Sequence, residues 1–237
     1  MKKLIDFTAW YADRKRIEAC ASEFEELVKA QTENDWLEII RQNFYWVCEH
    51  NIGGINKVVK DARSFREGFA PVKCSSSGLW GFMKTDGTML TGFEFYNVGG
   101  FKDGFSAVED SSSGMWGFLK SDGTMLTGFQ FGYVSDFQEG FARVQDSSGM
   151  WGFLKSDGTM LTGFEFYDAN SFREGFATVK DSSGLCGFLK SDGTMLTEFK
   201  FDAVRNFREG FAHVQKDKCG EWGWINAQGE YTLTKEV

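Results

Sequence analysis

Carboxylates are the most regularly spaced side chains in this 237-residue chain that could do chemistry. One set stands in Asp-Gly pairs, at Asp86, Asp122, Asp157 and Asp192. Calcium takes about six to eight oxygen ligands, whereas each of these pairs offers a single carboxylate. The pattern therefore favours hairpin turns with positive φ over calcium sites, and we predict no metal.

A second acidic set recurs in front of a different glycine. It consists of Glu67, Asp103, Glu139, Glu174 and Glu209. Such a set could form an acidic ladder that attracts cations or cationic partners. The alternative, which we favour, is a turn residue that accepts local backbone hydrogen bonds.

Groups suited to catalysis or to metal binding are scattered along the chain. Acid–base or nucleophilic catalysis needs unlike groups at one place, whereas nearly every polar residue here belongs to a repeated set. Neither His50 nor His213 has an evident nucleophile or metal ligand beside it. The five cysteines are an odd number without C-x-x-C spacing, which argues for free thiols. We predict a protein that is not an enzyme and that carries no cofactor.

The charge balance limits the classes of partner. The chain has 26 Lys and Arg against 34 Asp and Glu, a formal net charge of −8. Because nucleic-acid affinity comes largely from basic residues that displace counterions, nucleic acid is not expected as a partner. The sequence contains no long apolar run that would predict a signal peptide or a membrane helix. We therefore expect a cytoplasmic protein that does not bind membranes.

The chain repeats itself from about residue 55 onward. The phrase Phe65-Arg66-Glu67-Gly68-Phe69 returns with its first Phe at 101, 137, 172 and 207, in steps of 36, 36, 35 and 35 residues. A second phrase travels with it, as Trp80-Gly81-Phe82, Trp116-Gly117-Phe118, Trp151-Gly152-Phe153, Cys186-Gly187-Phe188 and Trp222-Gly223-Trp224. A period of this length is typical of an array of small structural units.

The cycle of Trp-Gly-Phe, Lys-x-Asp-Gly and Phe-x-Glu-Gly-Phe-Ala resembles the WG-repeat family of bacterial proteins over residues 55–237. The resemblance implies a β-rich repeat protein that mediates interactions, and it brings no active site with it. The region 1–54 lies outside the resemblance. Its apolar residues recur at helical spacing and predict a hairpin of two helices that caps the repeats.

Alternating apolar and polar residues predict the strands of each repeat. Phe176–Lys180, Leu185–Leu189 and Thr194–Thr197 should form a meander, and a short strand such as Phe164–Tyr167 should join neighbouring units. We predict a mainly β fold of five antiparallel meander repeats, numbered one to five, over about 55–92, 93–128, 129–163, 164–197 and 198–237. Divergent end repeats favour an open twisted array over the alternative, a closed five-bladed propeller.

Comparison of the five copies separates constant from variable positions. One variable column, predicted to lie on the exposed strand face, reads Pro71, Ala107, Arg143, Thr178 and His213. Another lies in the connector and includes Tyr96, Asn97, Tyr133, Tyr167 and Asp168. The candidate partner-binding residues are Tyr96, Asn97, Tyr133, Arg143, Tyr167, Asp168 and His213, since exposed variable positions on a fixed scaffold are suited to recognition.

Two functions are compatible with these patterns. The first is a scaffold that binds another protein through the variable positions. The alternative is a glycan- or cell-wall-binding module, because Ser121–Phe129 is similar to part of the choline-binding repeats. The chain lacks the Trp-Tyr-Tyr cluster of those repeats.

Overall fold

The computed structural model describes residues 59–216 and 220–233, and the predicted helical hairpin of 1–54 lies outside them. The described residues form seventeen strands and no helix. Alternating apolar and polar residues favour strands, and glycine supplies the positive φ that the tight turns between the strands require. The prediction of a mainly β fold is confirmed.

The chain divides into two compact units, Met1–Phe129 and Gln130–Val237. The described part of the first unit holds one six-stranded sheet, of β1 (Val59–Ala62), β2 (Phe69–Cys74), β3 (Trp80–Lys84), β4 (Phe95–Val98), β5 (Phe105–Asp110) and β6 (Trp116–Lys120). Each strand pairs antiparallel with the next in sequence, as in a meander.

The second unit holds three smaller sheets, again with consecutive antiparallel neighbours. The first consists of β7 (Tyr133–Val134), β8 (Phe141–Gln145) and β9 (Trp151–Lys155). The second consists of β10 (Asp168–Ala169), β11 (Phe176–Lys180), β12 (Cys186–Lys190) and β13 (Met195–Phe201). The third consists of β14 (Ala203–Val204), β15 (Phe211–Gln215), β16 (Trp222–Asn226) and β17 (Tyr231–Thr232). None of the sheets in the described residues closes on itself.

The third strand of the meander differs between repeats three and four. In repeat four it runs from Met195 to Phe201, whereas in repeat three the equivalent segment contributes only two isolated bridges, from Met160 to Leu154 and from Phe166 to Trp151. The segment of repeat three contains Gly163 where repeat four has Glu198. Glycine in a strand costs backbone entropy and offers no side chain to pack, which accounts for the interruption.

The connecting strand is shorter and later than the sequence predicts. The prediction placed it at Phe164–Tyr167, whereas the structure places β10 at Asp168–Ala169 and leaves Phe166 in an isolated bridge to Trp151. Phe166 is buried, and its ring packs edge-on against Phe153 with centroids 6.1 Å apart. The segment therefore bends to bring this ring into the core before pairing resumes.

Phenylalanine rings form the core of each unit. Phe153 is fully buried and meets Phe172 edge-on at 5.0 Å, and Phe188 meets Phe207 in the same way at 5.2 Å. In the first unit Phe82 meets Phe101 at 5.1 Å. In these three cases the Phe of a Trp-Gly-Phe or Cys-Gly-Phe phrase thus packs on the first Phe of the next Phe-x-Asp-Gly or Phe-x-Glu-Gly phrase. The two repeated phrases are the two halves of one packing contact.

In repeats one to four the glycine of the Trp-Gly or Cys-Gly pair lies against backbone of its own repeat, whereas Gly223 in repeat five lies against the Tyr231 ring. A Cβ on Gly152 would stand 2.6 Å from the carbonyl oxygen of Gly163, closer than real Cβ contacts allow. A glycine leaves one face of its strand bare, so the sequence predicts that another backbone or a large ring lies close against it and that the neighbouring repeat supplies that group. The close approach is confirmed, but the prediction of the neighbouring repeat is wrong. The approach is local because the meander turns back after only about ten residues.

Candidate interaction site

The Asp-Gly turns use their carboxylates locally. In repeat three, Asp157 Oδ1 accepts the Thr159 backbone N–H at 2.8 Å and its hydroxyl at 2.6 Å, while Gly158 has φ of 85°. The hydroxyl bond, together with the backbone bond, lowers the pKa of Asp157. The predicted positive-φ turns are confirmed, and each one holds its own aspartate.

The second acidic set joins one repeat to the next. Glu139 accepts the backbone N–H groups of Glu174 and Gly175 at 2.8 and 2.9 Å, and Glu174 accepts those of Glu209 and Gly210 at 2.7 and 2.8 Å. In the first unit Glu67 binds the corresponding pair of the next repeat. We call each such two-bond contact a staple.

The staples correct the interpretation of this set. The hydrogen bonds span 35 to 37 residues and are therefore not local. The donors are presented by a turn in which the acidic residue itself has φ between 49° and 55°. The backbone N–H groups of Gly210 and Glu209 lower the pKa of Glu174. The only sign of the staples in the sequence is that an acidic residue stands at this position in all five repeats.

The connector tyrosines lie at the surface. Tyr96 in the first unit and Tyr167 in the second are each 62% exposed. Tyr133 is 48% exposed, and its ring meets Trp151 edge-on at 5.6 Å. Two of the three candidate tyrosines therefore present most of their surface to solvent, whereas the third packs partly on its own repeat.

The polar candidates of the connector shape the chain locally. Asn97 Oδ1 accepts the Val98 backbone N–H at 3.0 Å, and Asp168 Oδ1 accepts that of Ala169 at 2.9 Å. Asn97 is half-buried and Asp168 is exposed. A carboxylate has further acceptor sites, so Asp168 can still receive a hydrogen bond from a ligand.

The strand column is more buried than the sequence predicts. Pro71, Ala107 and Thr178 are buried, and the prediction of an exposed face is wrong for them. These residues stand on central strands whose two faces are both covered, so polarity alone did not reveal their burial. Only Arg143 and His213 of this column are half-buried.

Arg143 and His213 are held in aromatic stacks. The Arg143 guanidinium lies 4.9 Å from the Trp151 ring centroid and donates a hydrogen bond to the Ala169 carbonyl oxygen. His213 stacks on Trp224 at 4.4 Å. Burial, and secondarily the Arg205 cation, lower the pKa of His213, so its ring is neutral at pH 7.

Sequence reasoning missed a pair of arginines that belong to the same kind of stack. Arg63 lies 4.5 Å from the centroid of Trp80, and Arg205 lies 5.5 Å from that of Trp222. The two arginines occupy the same position in repeats one and five. Comparison of this column with the Trp column would have indicated cation–π pairs.

The described cysteines have opposite environments. Hydrogen bonds with Ser76, and then with Ser77, lower the pKa of Cys74 to about 6. Burial raises the pKa of Cys186, which stands in the Trp column of repeat four. Within 59–216 and 220–233, no three His, Cys, Asp or Glu side chains gather as a metal site requires. No helix of the described residues is long and apolar enough to span a membrane.

The family model of the "WG containing repeat" matches residues 80–110, 116–147, 151–183 and 187–218. These four tandem matches cover more than half of the chain. The chain belongs to the WG-repeat family. The resemblance derived from the two repeated phrases is thereby confirmed.

Solved structures give weaker likenesses to this WG-repeat protein. The computationally designed Ika8 protein aligns at a TM-score of 0.40 with 11% identity, over 72% of this chain and 60% of its own. BamB from Moraxella catarrhalis aligns at 0.37 with 10% identity, over 73% and 62%. The WD40 β-propeller domain of Doa1 aligns at 0.34 with 14% identity, over 74% and 68%.

The chain spans about 60% of the length of the designed protein, and likenesses at these TM-scores carry no argument about function. No curated protein matches the sequence.

Proposed function

We propose that this WG-repeat protein is a non-catalytic scaffold that binds another protein through repeat-specific surface positions. The observation that carries the proposal is the 62% exposure of Tyr96 and Tyr167 on a framework whose phenylalanines are buried. Tyrosine combines a large apolar ring with a hydroxyl and is frequent at interfaces. Two such residues stand at the same connector position, Tyr96 in one unit and Tyr167 in the other.

The framework explains why these positions are free to serve a partner. The rings of Phe153 and Phe188 hold repeat three to repeat four and repeat four to repeat five, and the glutamate staples fix the turns. Neither contact involves the connector tyrosines. A tyrosine there contributes little to folding, and its retention at the surface is accounted for by binding.

Replacement of Tyr96 and Tyr167 by serine tests the proposal. The tagged full-length chain captures its partner from native lysate, and mass spectrometry identifies the retained protein. The double variant should lose capture at least tenfold while its melting temperature stays unchanged. Tyr133 is left in place because its ring packs on Trp151.

A matched control replaces Ser147 and Ser182 with alanine, since both serines lie exposed in hairpin loops of the same protein. The control should capture as much partner as the wild type. Equal capture by the tyrosine variant and the wild type would overturn the assignment of the surface.

We propose further that the protein is cytoplasmic and that its repeats form an open array. The divergent end repeats of the sequence support the open form. Small-angle X-ray scattering of the full chain should give a maximum dimension larger than that of a closed five-bladed ring. Fractionation of the native cells, followed by detection of the protein, tests the location.

Glycan binding remains the alternative function. It predicts retention of the full chain on a polysaccharide or choline resin and release by the free ligand. In repeat three the Trp151 ring is covered by Arg143 and flanked by Tyr133, which leaves little free ring surface for a sugar. We therefore place protein binding first.

A further inference from the structure

Repeat four lacks the tryptophan that marks its neighbours. Cys186 occupies the position of Trp151 in repeat three and Trp222 in repeat five. The backbone at the position is the same, because Cys186 pairs with Lys180 across the hairpin as Trp151 pairs with Gln145. Repeat four therefore keeps the backbone position at which the other repeats carry a tryptophan, which we call the seat, but it lacks the indole ring.

The groups that cover the ring elsewhere are also replaced. Thr178 stands at the position of Arg143, and Asn170 stands at the position of Arg205. The two small side chains bind one another, with Asn170 Nδ2 donating to Thr178 Oγ1 at 2.7 Å. Both the tryptophan and its stacked guanidinium are thus absent from the same place in repeat four.

A cavity of about 80 Å³ lies at this place and opens to solvent. Its lining includes Asp168, Asn170, Thr178, Lys180, Cys186 and Val204. The volume is several times that needed by one water. Because the cavity is open on one side, a flat ring can enter it without being enclosed.

The walls suit an indole in particular. Lys180 stands at the position of Lys73 in repeat one, whose ammonium lies 5.3 Å from the Trp80 ring centroid. Asp168 lines the same cavity, and its carboxylate has acceptor sites for an indole N–H beyond the one that the Ala169 N–H occupies. The cavity therefore offers a cation for the ring face and an acceptor for the ring nitrogen.

We propose that the cavity of repeat four receives the tryptophan side chain of a protein partner. The proposal rests on the scaffold function argued above and names the chemistry of one contact. The exposed Tyr167 directly precedes Asp168, a lining residue of the cavity, in the chain. The indole of the partner occupies the place that the chain's own tryptophan occupies in each of the other four repeats.

Free indole titrated into the ¹⁵N-labelled full-length chain tests the pocket without any partner. Saturable shifts of the amide signals of Cys186, Lys180 and their neighbours are expected in the wild type and in Cys186→Ala, which keeps the cavity. Cys186→Trp should bind indole at least tenfold more weakly. Absence of saturable shifts, or equal binding by Cys186→Trp, would overturn the pocket.

Folding of the variant is itself informative. Circular dichroism of Cys186→Trp should match the wild type, since the same backbone carries tryptophan in four repeats. A variant that fails to fold would show that the seat cannot hold an indole and would overturn the proposal.

Capture of the partner distinguishes failure of the tryptophan contact from failure of the scaffold function. Cys186→Trp should reduce capture at least tenfold, as Tyr96→Ser with Tyr167→Ser does. Undiminished capture by Cys186→Trp would overturn the partner's tryptophan while leaving the scaffold function intact. If the wild type captures no protein, the scaffold function falls and takes the partner's tryptophan with it, even where free indole binds.

Discussion

Repeats three and four share a phenylalanine core and a hairpin register, and they differ at the Trp column. Both bury a Trp-Gly-Phe or Cys-Gly-Phe phenylalanine, at Phe153 and Phe188, and both pair their central strands in the same register. At the Trp column, repeat three holds Trp151 under Arg143, whereas repeat four holds Cys186 beside an open cavity. The framework therefore does not depend on the tryptophan that marks the family.

The comparison divides the repeated positions into two groups. The same contacts recur at three of the phenylalanines (Phe82, Phe153 and Phe188), at the staples of Glu67, Glu139 and Glu174, and at the four turn aspartates. The Trp column changes in repeat four, and the stacked cation and the connector tyrosines change from repeat to repeat. Stability resides in the first group, and we place recognition in the second.

The largest effect should come from the core, and it should be equal in the two repeats. Phe153→Ala and Phe188→Ala each remove a fully buried ring, at a cost of about 3–5 kcal/mol in the free energy of unfolding. Urea unfolding of each variant gives this cost. A cost in one repeat twice that in the other would contradict a shared framework.

The Trp column should respond in opposite directions. Trp151→Cys removes a half-buried ring and its stack with Arg143, which should cost about 2 kcal/mol. Cys186→Trp fills a cavity of about 80 Å³ and should stabilise the protein by about 1–2 kcal/mol. The same urea experiment measures both. Destabilisation by both changes would show that positions 151 and 186 do not accommodate a tryptophan ring in the same way.

The staples should have smaller and equal effects. Glu139→Gln and Glu174→Gln each weaken a charge-assisted two-bond contact between repeats, so the melting temperature should fall by roughly 2–4 °C. Calorimetry gives the shift. Glu165→Gln, at an exposed glutamate of the connector, is the control and should leave the temperature unchanged.

Acid should weaken the framework gradually. The pKa values of Asp157, Asp192 and Glu174 are lowered in the folded state, so their contribution to stability is present above their ordinary values near 4. It is lost as the pH falls through the lowered values. The melting temperature should therefore decline from pH 5 to pH 2. Asp157→Asn with Asp192→Asn should flatten that decline, and an unchanged slope would contradict the assignment.

The features that could be predicted from the sequence are those set by interactions between residues close together in the chain. The period of the repeats, the strand Phe176–Lys180 and the Asp-Gly turns follow from alternation and turn chemistry, which act over a few residues. The staple from Glu139 to Glu174 was not predictable in this way, because it requires two turns 35 residues apart to meet. The cavity beside Cys186 likewise depends on which side chains are missing around one point in space.

Among the candidate residues, sequence variation alone could not distinguish exposed from buried positions. Tyr96 and Tyr167 are variable and exposed, whereas Thr178 is variable and buried. The difference arises because the central strand is covered on both faces and the connector is not. A buried polar side chain needs a hydrogen-bond partner, and the sequence does not show that Asn170 is the partner of Thr178. The burial of Thr178 could therefore not be predicted.

Hydroxyl-radical footprinting of the full-length protein, alone and with its captured partner, tests the central claim most directly. Both tyrosines are 62% exposed and should be oxidised readily in the free protein. The account predicts that the partner protects Tyr96 and Tyr167 several-fold while residues of the hairpin loops keep their oxidation rates. Unchanged oxidation of both tyrosines, with protection confined to the hairpin loops, would contradict it.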